Sequence, residues 1–133
     1  MKKVFLGGTC NNSTWREELI PMLEIDYFNP VVDDWTPECQ QEEIRQKNEE
    51  CNIHLYVITP KMKGVFSIAE AVESVFEKKH NCIFCVLSKD ENTEFDQAQL
   101  KSLKATGDLI KRHGGQFFTN LIDVSIYLNQ NDR

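Results

Sequence analysis

The chain has 133 residues, enough for one hydrophobic core, and its 41% hydrophobic and 27% charged residues are typical of folded soluble proteins. The formal net charge of -6 and the lack of long Lys/Arg runs argue against nucleic acid and anionic membranes as partners. The apolar runs are too short to span a bilayer, and the first residues leave no room for a signal-peptide core. We therefore expect a single cytoplasmic domain over residues 1–133, with its cysteines as free thiols.

Short apolar runs alternate with stretches of helical periodicity along the chain. The predicted strands, in chain order, are residues 3–6, 25–28, 53–58, 83–87 and 116–118. The predicted helices are residues 14–23, 37–51, 68–79, 95–112 and 121–129. This alternation favours a three-layer α/β/α sandwich around a five-stranded parallel sheet, of the flavodoxin-like (Rossmann-like) type.

Capping residues support several helix starts. Thr14, or the serine before it, can cap the first helix, with Glu17 at capping-box spacing. Thr36, directly before a proline, is typical of the cap of the second helix. Ser67 precedes the third helix, with Glu70 at the same box spacing. Three acids suit the positive start of the second helix: Glu38, Glu42 and Glu43.

The loops after the strands are the places to look for a site, because ligands of parallel α/β sheets bind beyond the carboxyl ends of the strands. Gly7, Gly8 and Thr9 follow the first strand, where glycines let the backbone approach a ligand closely. The loop is neither G-x-G-x-x-G nor a P-loop, which disfavours a full dinucleotide site. It is equally consistent with a tight turn.

The loop after the second strand runs from Asn29 to Trp35 and contains Asp33 and Asp34. Adjacent carboxylates can accept hydrogen bonds from sugar hydroxyls or hold a proton for catalysis. The indole can stack on a base. The structural alternative is a solvated turn with the tryptophan packed beside the helix start.

The loop after the third strand contains Gly64 and Ser67 and leads to Glu70 in the first turn of a helix. A carboxylate held there can attack an electrophilic carbon of a bound sugar. Its structural alternative is an ordinary capping-box acid. Lys61 and Lys63 in the same loop can contact a phosphate or simply be solvated.

The cysteines and histidines give no metal site. Cys82 and Cys85 lie three apart on a strand, so their side chains point to opposite faces of the sheet. His54 falls inside a strand and is expected to be packed or hydrogen-bonded. We expect neither a metal nor a cofactor.

Taken together, several of these segments resemble the nucleoside 2-deoxyribosyltransferase-like proteins. The resemblance is carried by residues 4–9, 15–16, 28–35 and 55–60, by Gly64 and by residues 67–70. It implies a flavodoxin-like fold and a small-molecule substrate, a (deoxy)nucleoside or a nucleoside 5′-monophosphate, cleaved at its N-glycosidic bond. A neighbouring subunit can help complete the site in such enzymes, so a homodimer or larger homo-oligomer is consistent with the resemblance.

The resemblance also implies roles for individual residues. Glu70 matches the nucleophile that forms a glycosyl-enzyme, which a second base (transfer) or water (hydrolysis) then resolves. Family members also place acidic groups near the leaving base and the sugar hydroxyls, and Asp33 and Asp34 are the candidates for these roles here. The candidate substrate-binding residues are Gly7, Gly8, Thr9, Asn29, Trp35, Gly64 and Ser67.

The chain departs from the family pattern in one place. Family enzymes commonly carry an Asp shortly before the nucleophile, but residues 61–68 contain no acid. This motivates two further hypotheses. One is a nucleotide-binding or sensor module that uses the same pocket without catalysis, and the other is a purely structural or partner-binding domain.

Overall fold

The computed structural model describes residues 2–10, 12–32 and 34–130. Its strands are β1 (Lys3–Gly8), β2 (Asp26–Phe28), β3 (Ile53–Ile58), β4 (Asn81–Val86), β5 (Lys89–Asp90), β6 (Thr93–Glu94) and β7 (Gln116–Phe118). Its α-helices are α1 (Trp15–Leu19), α2 (Pro37–Arg45), α3 (Phe66–Glu77), α4 (Gln97–Arg112) and α5 (Leu121–Leu128). A 3₁₀ turn (Ile20–Met22) continues α1, and a π-helical turn (Gln46–Glu50) continues α2.

The main sheet has five parallel strands in the order β2-β1-β3-β4-β7. The expected flavodoxin-like α/β fold is therefore confirmed. The chain order reverses around β1, which pairs with both β2 and β3, so the topological switch point lies between β1 and β3. None of the helices in the described ranges combines the length with the apolar composition that a membrane span requires.

Both faces of the sheet are covered, which explains why the central strands read as unbroken apolar runs. In β3, Leu55 and Val57 face a core that α1 and α5 complete. Tyr56 and Ile58 face the opposite core, which α3 and α4 complete. All six residues of β3 are buried.

The two cysteines of β4 confirm the expected alternation. Cys82 lies in the core shared with α3 and α4, and Cys85 lies in the core shared with α1 and α5. Burial raises the pKa of Cys82 to about 11 and that of Cys85 to about 12, so both remain thiols at neutral pH. Among the described residues, no group of three His, Cys, Asp or Glu side chains has the arrangement of a metal site.

The helix starts agree only in part with the capping predictions. Thr36 caps α2 and accepts a hydrogen bond from the Cys39 amide at 3.1 Å, as expected. Thr14 occupies the cap of α1, but its side chain makes no capping hydrogen bond. The predicted Ser67 cap is wrong, because α3 begins earlier, at Phe66.

A short hairpin of β5 and β6 was not predicted. It lies between β4 and α4, and its Asp90 is 8% exposed. The Asp90 carboxylate accepts a hydrogen bond from Ser13 Oγ at 2.6 Å. The hairpin thereby ties the β1–α1 loop to the far half of the sheet.

Candidate functional site

A cavity of about 370 Å³ opens at the carboxyl end of β1, beside the switch point of the sheet. This volume lies within the range of roughly 300–1,000 Å³ typical of small-molecule sites. Its wall is built from β1 and its loop, α1, the β2–α2 loop, α2 and the start of α3. The lining residues are Phe5, Gly7, Gly8, Cys10, Arg16, Pro30, Val31, Val32, Trp35, Glu43, Ser67 and Glu70.

The two glycines at the floor of the cavity are required by packing within the sheet. Gly8 has a φ of +117°, and a Cβ there would lie 2.1 Å from the Val57 carbonyl oxygen. A Cβ on Gly7 would lie 2.8 Å from the ring of Tyr56. Both positions therefore require glycine because β1 approaches β3 closely, whether or not a ligand is bound in the cavity.

Arg16 places a buried positive charge in the cavity wall. Its guanidinium donates to the carbonyl oxygens of Leu6 at 2.9 and 3.1 Å and of Thr9 at 2.8 Å. Burial lowers the pKa of Arg16 to about 10, which leaves it charged at neutral pH. No carboxylate of the described residues forms an ion pair with it. The sequence offered no signal for this role beyond the position of Arg16 in a family-like segment.

Glu70 lies in α3, and its carboxylate is held from a different element. Lys47, in the π-helical turn after α2, contacts Glu70 Oε2 through its ammonium at 2.5 Å. Both side chains are 20% exposed. Within the described ranges, Glu70 Oε1 accepts no hydrogen bond. The arrangement therefore fixes one carboxylate oxygen and leaves the other available to a ligand.

A buried histidine fixes the turn that carries Lys47. His54 Nε2 lies 2.6 Å from the Lys47 carbonyl oxygen, and His54 Nδ1 lies 3.1 Å from Ser74 Oγ. Burial lowers the pKa of His54 to about 4, so the ring is neutral at pH 7. Because a carbonyl can only accept, Nε2 carries the proton and Nδ1 accepts from the serine. The prediction of a hydrogen-bonded strand histidine is confirmed.

The turn that carries Lys47 departs from the hydrogen-bond spacing of an α-helix. The amide of Cys51 donates to the carbonyl of Gln46 at 2.8 Å, a hydrogen bond that spans five residues instead of four. Such turns occur often at functional sites. Lys47 lies within this turn, two residues after the end of the regular α-helix α2.

Glu43 is the second carboxylate in the cavity wall. It lies on α2 and is partly buried. Burial raises the pKa of Glu43, and the charge of Glu70 raises it further, while Lys47 and Arg16 act in the opposite direction. The sequence pointed to Glu43 only as one of several acids near a helix start, because helical periodicity does not say which of them faces a cavity.

The structure brings several of the predicted site residues together. Five of them line the main cavity: Gly7, Gly8, Trp35, Ser67 and Glu70. Thr9 and Gly64 line a recess of about 120 Å³ that shares Gly8, Cys10 and Ser67 with the main cavity. Trp35 is 59% exposed, so its indole stands open at the cavity wall.

Other predicted residues lie elsewhere. Asn29 is exposed, and its side-chain oxygen accepts from the Val31 amide at 3.1 Å, which closes a local turn. Asp34 is exposed and does not line the cavity. Asp33 lies outside the described residues.

The two loop lysines differ from each other. Lys61 forms ion pairs with Glu91 and with Asp90 on the β5–β6 hairpin. It also donates to the Asn12 carbonyl oxygen at 3.0 Å, so it binds the loops together instead of being solvated. Lys63 is exposed beside the smaller recess.

Comparison with known proteins identifies a family. The family model described as nucleoside 2-deoxyribosyltransferase like matches residues 1–89. No curated protein and no solved structure matched the chain in corresponding searches. The matched segment covers more than half of the chain and includes every lining residue of the cavity. The chain belongs to the nucleoside 2-deoxyribosyltransferase-like family.

Proposed function

We propose that this family member cleaves or transfers at the N-glycosidic bond of a (deoxy)nucleoside or nucleoside 5′-monophosphate, through a covalent glycosyl intermediate on Glu70. The observation that carries the proposal is the position of Glu70, which lines a ligand-sized cavity and has one oxygen held by Lys47. A carboxylate fixed in this way is a suitable nucleophile toward an anomeric carbon.

The reaction divides into two displacements. Glu70 Oε1 attacks C1′ of the sugar, and the electron pair of the C1′–N bond leaves with the base. A second base or a water molecule then attacks C1′ and releases Glu70. Two inversions give net retention, as in retaining glycosidases.

The apolar part of the cavity wall suits the base. Val31, Val32 and Trp35 come from the β2–α2 loop and line the cavity together. An open indole can stack on a purine or pyrimidine ring. In this arrangement the base lies toward the loop and C1′ lies toward Glu70.

The proposal extends to the whole chain. The family match ends at residue 89, but β7 pairs with β4 and completes the same sheet. The helices α4 and α5 cover that half of the sheet. We therefore include residues 1–133 in one domain. We also propose that this domain acts in the cytoplasm.

The test is a base-release assay on deoxynucleosides and their 5′-monophosphates, with and without an acceptor base, followed by chromatography. Glu70→Ala should lower kcat/KM by ~10³-fold or more, because removal of a nucleophile costs several kcal/mol of transition-state stabilisation. Glu73→Ala is the matched control, since Glu73 is exposed on the same helix and does not line the cavity. Equal rates for wild type and Glu70→Ala would reject the assignment.

A second candidate is a binding or sensor module that leaves its nucleotide intact. It is favoured by one observation, that the β3–α3 loop has no acid from Lys61 to Ile68. Calorimetry that shows binding of a nucleotide without base release over hours would select this function.

A further inference from the structure

We propose that Glu43 is the proton donor to the leaving base and, in the second displacement, the acceptor of the proton from the incoming water or base. This inference rests on the proposed function, because it assigns a second catalytic group to the same cavity. Glu43 and Glu70 are the two carboxylate residues that line this cavity within the described ranges.

A proton donor is needed because an anionic nucleobase is a poor leaving group, and general acid catalysis is worth ~10²–10⁴-fold in rate. In the described part of the chain, the residues that the sequence offered as proton donors do not line the cavity. Asp34 is exposed outside the cavity, and the β3–α3 loop has no acid.

The placement of Glu43 suits a donor. It comes from α2, the helix that directly follows the β2–α2 loop, and it lines the same cavity as Trp35 of that loop. Glu70 comes from α3, so the two carboxylates reach the cavity from different elements. A base that stacks on Trp35 would share this cavity with Glu43.

Charged groups on three other elements influence the ionisation of Glu43. They are Arg16 on α1, Lys47 on the π-helical turn and Glu70 on α3. The two cations favour the carboxylate, whereas burial and the Glu70 charge favour the acid and prevail, so the pKa of Glu43 lies above its ordinary value. Glu43 thus keeps its proton to higher pH than an exposed glutamate, while Lys47 pairs with Glu70.

Glu43 donates a proton in the first step and recovers one in the second. Glu43 transfers its carboxyl proton to a nitrogen or oxygen of the base as the C1′–N bond breaks and the Glu70–C1′ bond forms. The Glu43 carboxylate then takes a proton from water, whose oxygen bonds to C1′ as the Glu70–C1′ bond breaks. In transfer, the proton comes from the N–H of the acceptor base.

The experiment compares two classes of substrate. One is a deoxynucleoside, and the other is 4-nitrophenyl 2-deoxyriboside, whose leaving group needs no proton. Glu43→Gln should lower kcat/KM by ~10²-fold or more on the nucleoside and by less than ~3-fold on the nitrophenyl compound. Glu70→Ala should lose activity on both. Glu38→Gln is the control, because Glu38 is exposed on the same helix and outside the cavity.

The wild-type pH profile provides a test that needs no variant. A donor must be protonated, so kcat/KM for the nucleoside should fall as pH rises through the pKa of Glu43, and kcat/KM for the nitrophenyl compound should not. Equal losses of Glu43→Gln on both substrates, or identical pH profiles, would overturn the role of Glu43 and leave Glu70 in place. Wild type inactive on both substrates would overturn the proposed function itself.

Discussion

The two helices that wall the cavity are held in different ways. α3 buries Ala71, Ser74 and Val75 against the sheet, whereas α2 has no buried residue. The only Ile, Leu or Val side chain within α2 is Ile44, which is 50% exposed. The core therefore fixes the position of Glu70 directly, while Glu43 depends on contacts at the two ends of its helix.

Those end contacts are few and specific. Thr36 caps the start of α2, and the π-helical turn after α2 is anchored through the Lys47 carbonyl. That anchor is His54, which also bonds Ser74 on α3. A helix with a polar sequence can thus line a site when a buried polar residue ties its end to the sheet. The geometry of the two carboxylates therefore depends on a link between the helices as much as on either helix.

Breaking that link should have the largest effect. The unfolded histidine has a pKa near 6.5 and the folded His54 has a pKa of about 4, so as pH falls the unfolded state takes up the proton first. The stability from this group is complete above pH ~6.5 and is lost as pH falls toward ~4, a change of about 3 kcal/mol. Urea melts across this window should show that slope in wild type and not in His54→Gln.

A control for this measurement is Ser74, which is hydrogen-bonded to His54. Ser74→Ala removes the hydroxyl that donates to His54 but leaves the titrating ring in place. It should lower stability by about 1 kcal/mol at neutral pH and retain the slope. A His54→Gln protein with an unchanged slope would show that another group governs acid stability.

Replacing one apolar side chain by alanine on each helix tests how firmly α3 and α2 are packed. Val75→Ala, at a site 4% exposed on α3, should cost about 2 kcal/mol of unfolding free energy. Ile44→Ala on α2 should cost less than about 0.5 kcal/mol, because half of that side chain already faces water. Chemical denaturation of the two variants measures both values. Similar costs would mean that α2 is packed as firmly as α3.

Removing the ion pair between the helices should have the smallest effect. Lys47→Met keeps the length of the side chain but frees Glu70 Oε2, so the carboxylate loses its fixed orientation. We expect kcat to fall by about tenfold with a smaller change in KM, since positioning acts mainly in the transition state. Steady-state kinetics on the nucleoside checks this. An unchanged kcat would assign Lys47 to stability alone.

Local patterns predicted most of the fold. The bounds of β3 (Ile53–Ile58) and β7 (Gln116–Phe118) were predicted to the residue, because short apolar runs bounded by polar residues specify strands locally. The alternation of strands and helices was enough to indicate a parallel sheet. It also placed Glu70 at the edge of the sheet where ligands bind.

Periodicity and connection rules were enough to predict the order of the five strands of the main sheet and of the five α-helices, and to identify Glu70 as an acid after a strand. That Arg16 and Glu43 line one cavity with Glu70, and that Lys47 pairs with Glu70, follows only from tertiary packing. These residues lie on different elements, and their meeting depends on how α2 crosses the sheet and on a π-helical turn that no local pattern announces. Side chains distant along the chain become neighbours through packing, and packing is a property of the whole fold.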